Sequence, residues 1–187
     1  MNTLPDFLKP IAISLFLLTF GSFAWAIPRF FRQLSPEPMG LRLIKWVGSV
    51  MLLLSLVVHL ITREVSAPMQ IAGCICFSCA FLLFWATIRV HRQQPPYLAF
   101  SREASHHIVD TGPYRYIRHP FYTSYFLGWV ANGLISQSLL LLVPLICMGV
   151  LYVSAARLEE RQFLGGELSG LYAPYMQRTK MFVPFVV

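Results

Sequence analysis

Long apolar runs separated by short polar interruptions dominate the chain. The runs cover about 10–27, 46–62, 69–88, 121–135 and 138–156. A bilayer's hydrocarbon layer is crossed by roughly 20 helical residues, so they predict an all-α integral membrane protein with about five transmembrane helices. The fourth run is short, and "NGLISQS" at 132–138 reads as a turn. The last two helices are therefore expected to form a hairpin whose first arm falls short of a full span.

Three polar segments punctuate this pattern. Residues 28–45 carry three prolines and a glycine, which argue against one long helix. The longest segment, 89–120, has a stiff Pro95-Pro96 pair, a Gly112-Pro113 turn signal and Pro120 where a helix takes its first residue. Loops of this length are uncommon and often functional. The tail, 157–187, opens with the Glu159-Glu160 pair at the expected end of the fifth helix. It continues in an amphipathic piece around 167–178, and Pro184 stops a short apolar end that docks back on the bundle. No internal repeat or linker breaks the chain, which reads as one domain, 1–187, with N-terminal helices in 1–90 and the chemistry in 91–187.

The first run competes with a cleaved signal peptide, because "FAWA" at 23–26 has the small-x-small pattern. Arg29 and Arg32 lie just beyond that cut and would have to be carried across, which favours a retained helix. With the N-terminus outside, thirteen lysines and arginines fall in the inner segments and two, Lys9 and Arg63, in the outer ones. Positive charge collects on the cytoplasmic side, so the expected arrangement is multi-pass, N-terminus outside, site on the cytoplasmic face, in a membrane of the bacterial inner type.

Composition adds little to this picture and removes some alternatives. With 56% hydrophobic and 12% charged residues, the net charge of +7 is a topology signal facing lipid headgroups, not a nucleic-acid footprint. All four cysteines lie in apolar runs, and "CICFSC" at 74–79 has no neighbouring histidine or carboxylate to complete a metal site. Buried thiols are expected, and no metal.

The chemistry-bearing residues gather on one face: Tyr114, Arg118, His119, Tyr122, Glu159, Glu160, Tyr172 and Tyr175. Arginine presents a planar fork to a carboxylate or phosphate, and a helix N-terminus favours the same charge. His119 titrates near neutrality, and the glutamates suit a cationic group, so the set together suits a zwitterion. Singly, each has a plainer explanation as a snorkelling anchor, an aromatic-belt residue or a solvated pair.

Their spacing favours the first account. "GPYRYIRHPFY", Gly112 to Tyr122, resembles the G-x-Y-x-x-x-R-H-P-x-Y block of the integral-membrane methyltransferases that include isoprenylcysteine carboxyl methyltransferase and the phospholipid methyltransferases. "LEERQF" with "LYAPYMQRTKMFVP" is similar to that family's second block. The resemblance covers about 105–185, the first three helices matching only in being helices. It implies S-adenosylmethionine as methyl donor, with Tyr114, Arg118, His119, Pro120, Tyr122, Glu159, Glu160, Tyr172 and Tyr175 around it. Arg118, His119 and Glu160 would carry the catalytic roles. Partners would be membrane lipids and a lipophilic acceptor: a prenylated cysteine carboxylate, a phospholipid amine or another small lipid. Met181 and Ser169 depart from the family pattern.

Two rival readings remain. Membrane sterol-type reductases share an R-H-P-x-Y core and a nicotinamide cofactor, but Phe121 stands where their block has asparagine, and "TSYFLG" has no carboxylate. A scaffold or small transporter would carry its polar residues near the midplane. Here His59, expected to be a packed histidine, is the main such group.

Overall fold

The computed structural model describes residues 8–32, 35–62, 65–91, 95–96, 99–100 and 107–184. The chain forms helices α1 (Leu8–Phe30), α2 (Met39–Ile61), α3 (Ala67–Val90), α4 (Pro120–Ser136), α5 (Leu142–Gly165) and α6 (Ser169–Arg178), with 3-10 turns at Gly112–Arg115 and Leu139–Leu141. Four segments are long and apolar enough to cross a membrane: α1, α2, α3 and Leu139–Gly165. The protein is an all-α integral membrane protein. At 17 residues, α4 rises roughly 25 Å and is the short arm of the expected hairpin. Gln137, left-handed at φ 50°, ends it.

Element boundaries differ from the apolar runs in one direction. Pro28–Phe30 and Met39–Lys45 are helical, so the first polar segment shrinks to 31–38. Likewise α5 continues nine residues past 156, so Glu159 and Glu160 lie inside its last turns. Hydropathy marks where a helix meets lipid, whereas backbone hydrogen bonding continues into the polar layer until a cap or turn stops it. Of the charges used to orient the chain, Arg63, Arg92 and Arg102 lie outside the described residues. Apart from Lys9, the other lysines and arginines all sit at the end that carries the α1 C-terminus and the α4 N-terminus.

Aromatic packing builds the core. Phe16, Phe20 and Phe23 of α1 interlock edge-to-face with Phe77 of α3 and stack at a tilt on Trp129 of α4 and Phe84 of α3, with centroids 4.7–6.2 Å apart. Such pairs are worth about 0.5–1.5 kcal/mol beyond burial. This matters in lipid, where association rests on packing and not on removal from water. Phe16, Phe23 and Ala26 are buried within this core, so α1 is an integral part of it and cleavage after Ala26 would strip out its aromatic half. Helices α3 and α4 approach closely at Gly73, where an added Cβ would sit 2.3 Å from the Ile135 side chain.

The cysteines are free, but they do not face inward as expected. Cys79 and Cys147 are exposed, and Cys74 and Cys76 half-buried. Cys74 and Cys76 pack against the edge of the ring-filled core, and only Cys79 and Cys147 lie on outward helix faces.

Helix α2 is the least buried of the four membrane-length helices. Its buried residues are Leu41 at one end and Ser55, Val58 and His59 at the other. Near the far end, His59 Nε2 meets Asn132 Oδ1 at 2.7 Å, and Asn132 donates to Ser55 Oγ at 2.7 Å. Between these points Ile44, Val47, Met51 and Leu52 are half-buried against the core, and Ile44, Gly48 and Leu52 line a cavity.

The tail returns to the α4 N-terminus as expected. The Arg118 amide donates to the Lys180 carbonyl at 2.7 Å, the His119 amide to Met181 at 3.1 Å and the Lys180 amide to Tyr116 at 3.2 Å. Thr123 Oγ1 donates to the Phe182 carbonyl.

Candidate active site

The site begins with the turn that precedes α4. Gly112 adopts φ +58°, and a Cβ there would lie 2.6 Å from Val90, so only glycine lets this 3-10 turn pack on the end of α3. The turn aims Tyr114 inward. Pro120 then starts α4 with His119 as its N-cap, its fixed φ and missing N–H suiting that position. Arg118 and His119 are thereby set at a helix mouth, facing the last turns of α5.

There the two glutamates separate. Glu160 is buried and accepts from Arg118 Nε at 2.7 Å and from His119 Nε2 at 3.1 Å. Glu159, with its side chain 28% exposed, accepts from the Tyr122 hydroxyl and pairs with His119 Nδ1 at 3.5 Å. Successive helical residues are about 100° apart, so one carboxylate turns into the protein and the other into a cavity. A carboxylate near a helix C-terminus is opposed by the dipole, and Arg118, His119 and the start of α4 offset that cost.

Arg118 does more than expected of a free anion clamp. Its Nη1 donates to the carbonyls of Thr179, at 2.5 Å, and Met176, at 3.3 Å. The guanidinium thus fastens the tail to α5 while still bordering the cavity.

Burial alone would push the His119 imidazole down, but its hydrogen bonds to Glu159 and Glu160 and their charges outweigh this and hold it above its ordinary value. A carboxylate on each nitrogen, Glu159 at Nδ1 and Glu160 at Nε2, favours the protonated ring. Burial, helped by the Glu159 charge, pushes the Tyr114 hydroxyl well up. Tyr175 is pushed up to about 12, chiefly by burial. These phenols are donors, not bases, and Tyr175 uses its proton on the Tyr114 carbonyl at 2.7 Å.

A cavity of about 490 Å³ lies against this cluster. Tyr114, Arg118, His119, Tyr122, Glu159, Tyr172 and Tyr175 border it; Glu160 and Pro120 lie behind. Phe163 and Tyr172 stack nearly parallel, 4.6 Å between centroids, to make a flat wall. The cavity continues past Tyr125 to Phe20, Trp129 and Met148 in the bundle centre. It is polar at one end and apolar at the other.

Sequence reasoning missed His91, at the C-cap of α3, whose Nε2 is 2.8 Å from the Tyr114 hydroxyl and whose ring stacks on Phe121. It also missed Gln162, one helical turn beyond Glu159 and on the cavity. The three-residue step from Glu159 was the available signal for Gln162; nothing local marked His91.

No curated protein matched the sequence when searched. The profile of the phospholipid methyltransferase family matches residues 68–167, more than half of the 187. The match takes in α3, which the sequence motifs had left out, and runs through the turn, α4 and the glutamates of α5. With this stretch holding both the arginine-histidine mouth and the paired carboxylates, the chain belongs to the phospholipid methyltransferase family.

Proposed function

We propose that the protein transfers a methyl group from S-adenosylmethionine to a lipophilic acceptor at the cytoplasmic edge of the membrane. The observation that carries this reading is the single cavity joining an ionic cluster to an apolar interior. A water-soluble donor suits one end and a lipid the other.

The residues fit that donor. A half-exposed carboxylate, Glu159, faces the cavity and suits a positive sulfonium. The Phe163–Tyr172 wall suits a flat base, and Arg118 with the His119 imidazolium suits a carboxylate. When bound, the donor supplies a methyl group made electrophilic by its positive sulfur.

The protein's own part is placement. The charge near the donor sulfur vanishes during transfer, so Glu159 strengthens binding more than it lowers the barrier. Holding two reactants in line supplies about 7–11 kcal/mol, and an apolar arm that keeps water out leaves an amine or carboxylate acceptor nucleophilic. Tyr122 and His119 fix the Glu159 carboxylate. Glu160 acts through Arg118 and His119 as a positioning residue. On this reading the whole chain is one domain, with 91–187 holding the donor and 1–90 completing the wall along the acceptor.

The test is binding of isotopically labelled S-adenosylmethionine to purified protein, followed by mass spectrometry of lipid extracts. Labelled lipid is expected from the native protein, and Glu159→Gln should weaken donor binding by about tenfold or more, the range of a hydrogen-bonded charge. NADPH oxidation without label transfer would overturn the proposal in favour of a reductase.

A further inference from the structure

We infer that the apolar arm of the cavity holds one hydrocarbon chain of the acceptor, with Trp129 as the wall that limits its length. This rests on the methyltransferase reading and deepens it.

The arm is bounded by Phe20, Gly48, Leu52, Trp129, Met148 and Tyr152. These residues come from four helices and offer hydrocarbon and ring faces, which suit an alkyl or prenyl chain. Its far end is closed and fixed. Trp129 is 2% exposed, its Nε1–H donates to the Tyr152 hydroxyl at 3.2 Å, and its ring lies 5.0 Å from that of Phe20. Just beyond it on α4, Asn132 is tied to Ser55 and His59. A hydrocarbon would have to displace the Trp129 ring and break those buried hydrogen bonds to pass.

The dimensions suit a single chain. From Tyr122 to Trp129 along α4 is roughly 10 Å, and from Glu159 back to Met148 along α5 roughly 16 Å. One leaflet of hydrocarbon is about 15 Å deep. The cavity's volume, about 490 Å³, lies in the range that encloses one drug-sized molecule, roughly 300–1,000 Å³. Ser49 of α2 lines the cavity and is also exposed, so the rest of such a lipid projects past α2 at that point.

Gly48 supplies an independent handle. An added Cβ there would meet only Met148, at an ordinary 3.7 Å, so a larger side chain fits and fills the arm without displacing backbone.

The experiment uses full-length protein in nanodiscs, labelled S-adenosylmethionine and two homologous series of single-chain lipids, one amine-headed and one carboxylate-headed. In the native protein, KM should fall with each methylene that the arm buries, by less than the roughly fourfold expected for transfer from water because the lipid already lies in hydrocarbon, then stop falling. Trp129→Ala should move that break to longer chains. Gly48→Leu should move it to shorter ones, with donor affinity in both variants within twofold of native. A second readout needs no transfer: a chain brominated at its tip should quench Trp129 fluorescence only near the break length. If the donor does not bind, the methyltransferase reading itself fails. If it binds but neither series is methylated, or if the break stays in place in both variants, the arm assignment is overturned.

Discussion

Two polar clusters are buried in this greasy bundle, and they are built on opposite plans. Near one end, Ser55, His59 and Asn132 join α2 to α4 through two hydrogen bonds between side chains that are each under 5% exposed. At the other, Arg118, His119, Glu159 and Glu160 form an ionic network with one carboxylate left facing a large cavity. The first is neutral and satisfies itself, as polar glue between membrane helices does. The second carries opposed charges whose desolvation is costly, and it keeps an unfilled side. Polarity alone does not mark a site in a membrane protein; a charged group with somewhere to reach does.

The contrast breaks most visibly at Arg118. Arg118→Ala leaves Glu160 buried without its guanidinium and frees the tail, a loss of about 3–5 kcal/mol. Faster trypsin cleavage at Arg178 and Lys180 and loss of donor binding should follow. Replacing the pair together, Arg118→Leu with Glu160→Leu, should recover much of the lost melting temperature, because Glu160 is no longer buried without its guanidinium, but neither the tail's protease resistance nor donor binding. A double variant that binds donor normally would show the network to be glue like the other one.

Tyr122→Phe removes the donor that fixes Glu159. Hydrogen bonds to charged groups are worth about 1.5–3 kcal/mol, so donor affinity measured by equilibrium dialysis should fall about tenfold, with little change in melting temperature.

The same kind of deletion in the neutral cluster should reverse the pattern. Asn132→Leu breaks two bonds that average ~0.6 kcal/mol each in membranes. Thermal stability should drop by about 1–2 kcal/mol, while donor affinity stays within twofold of native. A tenfold loss of affinity would mean that the far cluster belongs to the site.

The smallest effect is a pH dependence confined to the ionic cluster. Because the folded His119 value lies above the unfolded one, its stabilisation is complete below about 6.5 and is lost as pH climbs through the raised folded value. Melting temperature should therefore decline on the alkaline side, and His119→Gln should flatten that slope. An unchanged slope in the variant would assign the dependence to another group.

Much of this was legible in the chain. The apolar runs marked the five long helices, four of membrane length and the fourth, α4, short, since in lipid every backbone group must bond within its own segment. "RHPFY" marked a helix start because proline fits the first helical position. Its Arg118 and His119 do sit at that start, against the tail. Less legible was the fate of each charge. Glu159 and Glu160 look alike in sequence, yet one supports and one faces the cavity. Asn132 read as part of a turn, and nothing near it signalled His59, 73 residues earlier.

Sequence alone determined the helical architecture, its approximate spans, the concentration of positive charge at one end and the residues available for chemistry. These follow from local hydropathy and local backbone preference. Only the tertiary structure decided that Arg118 holds the tail, that His119 sits between two carboxylates, that His91 meets Tyr114 and that the cavity runs on to Trp129. Each of these depends on which side of a helix a residue takes and which distant segment packs there, a choice made by packing the whole bundle at once.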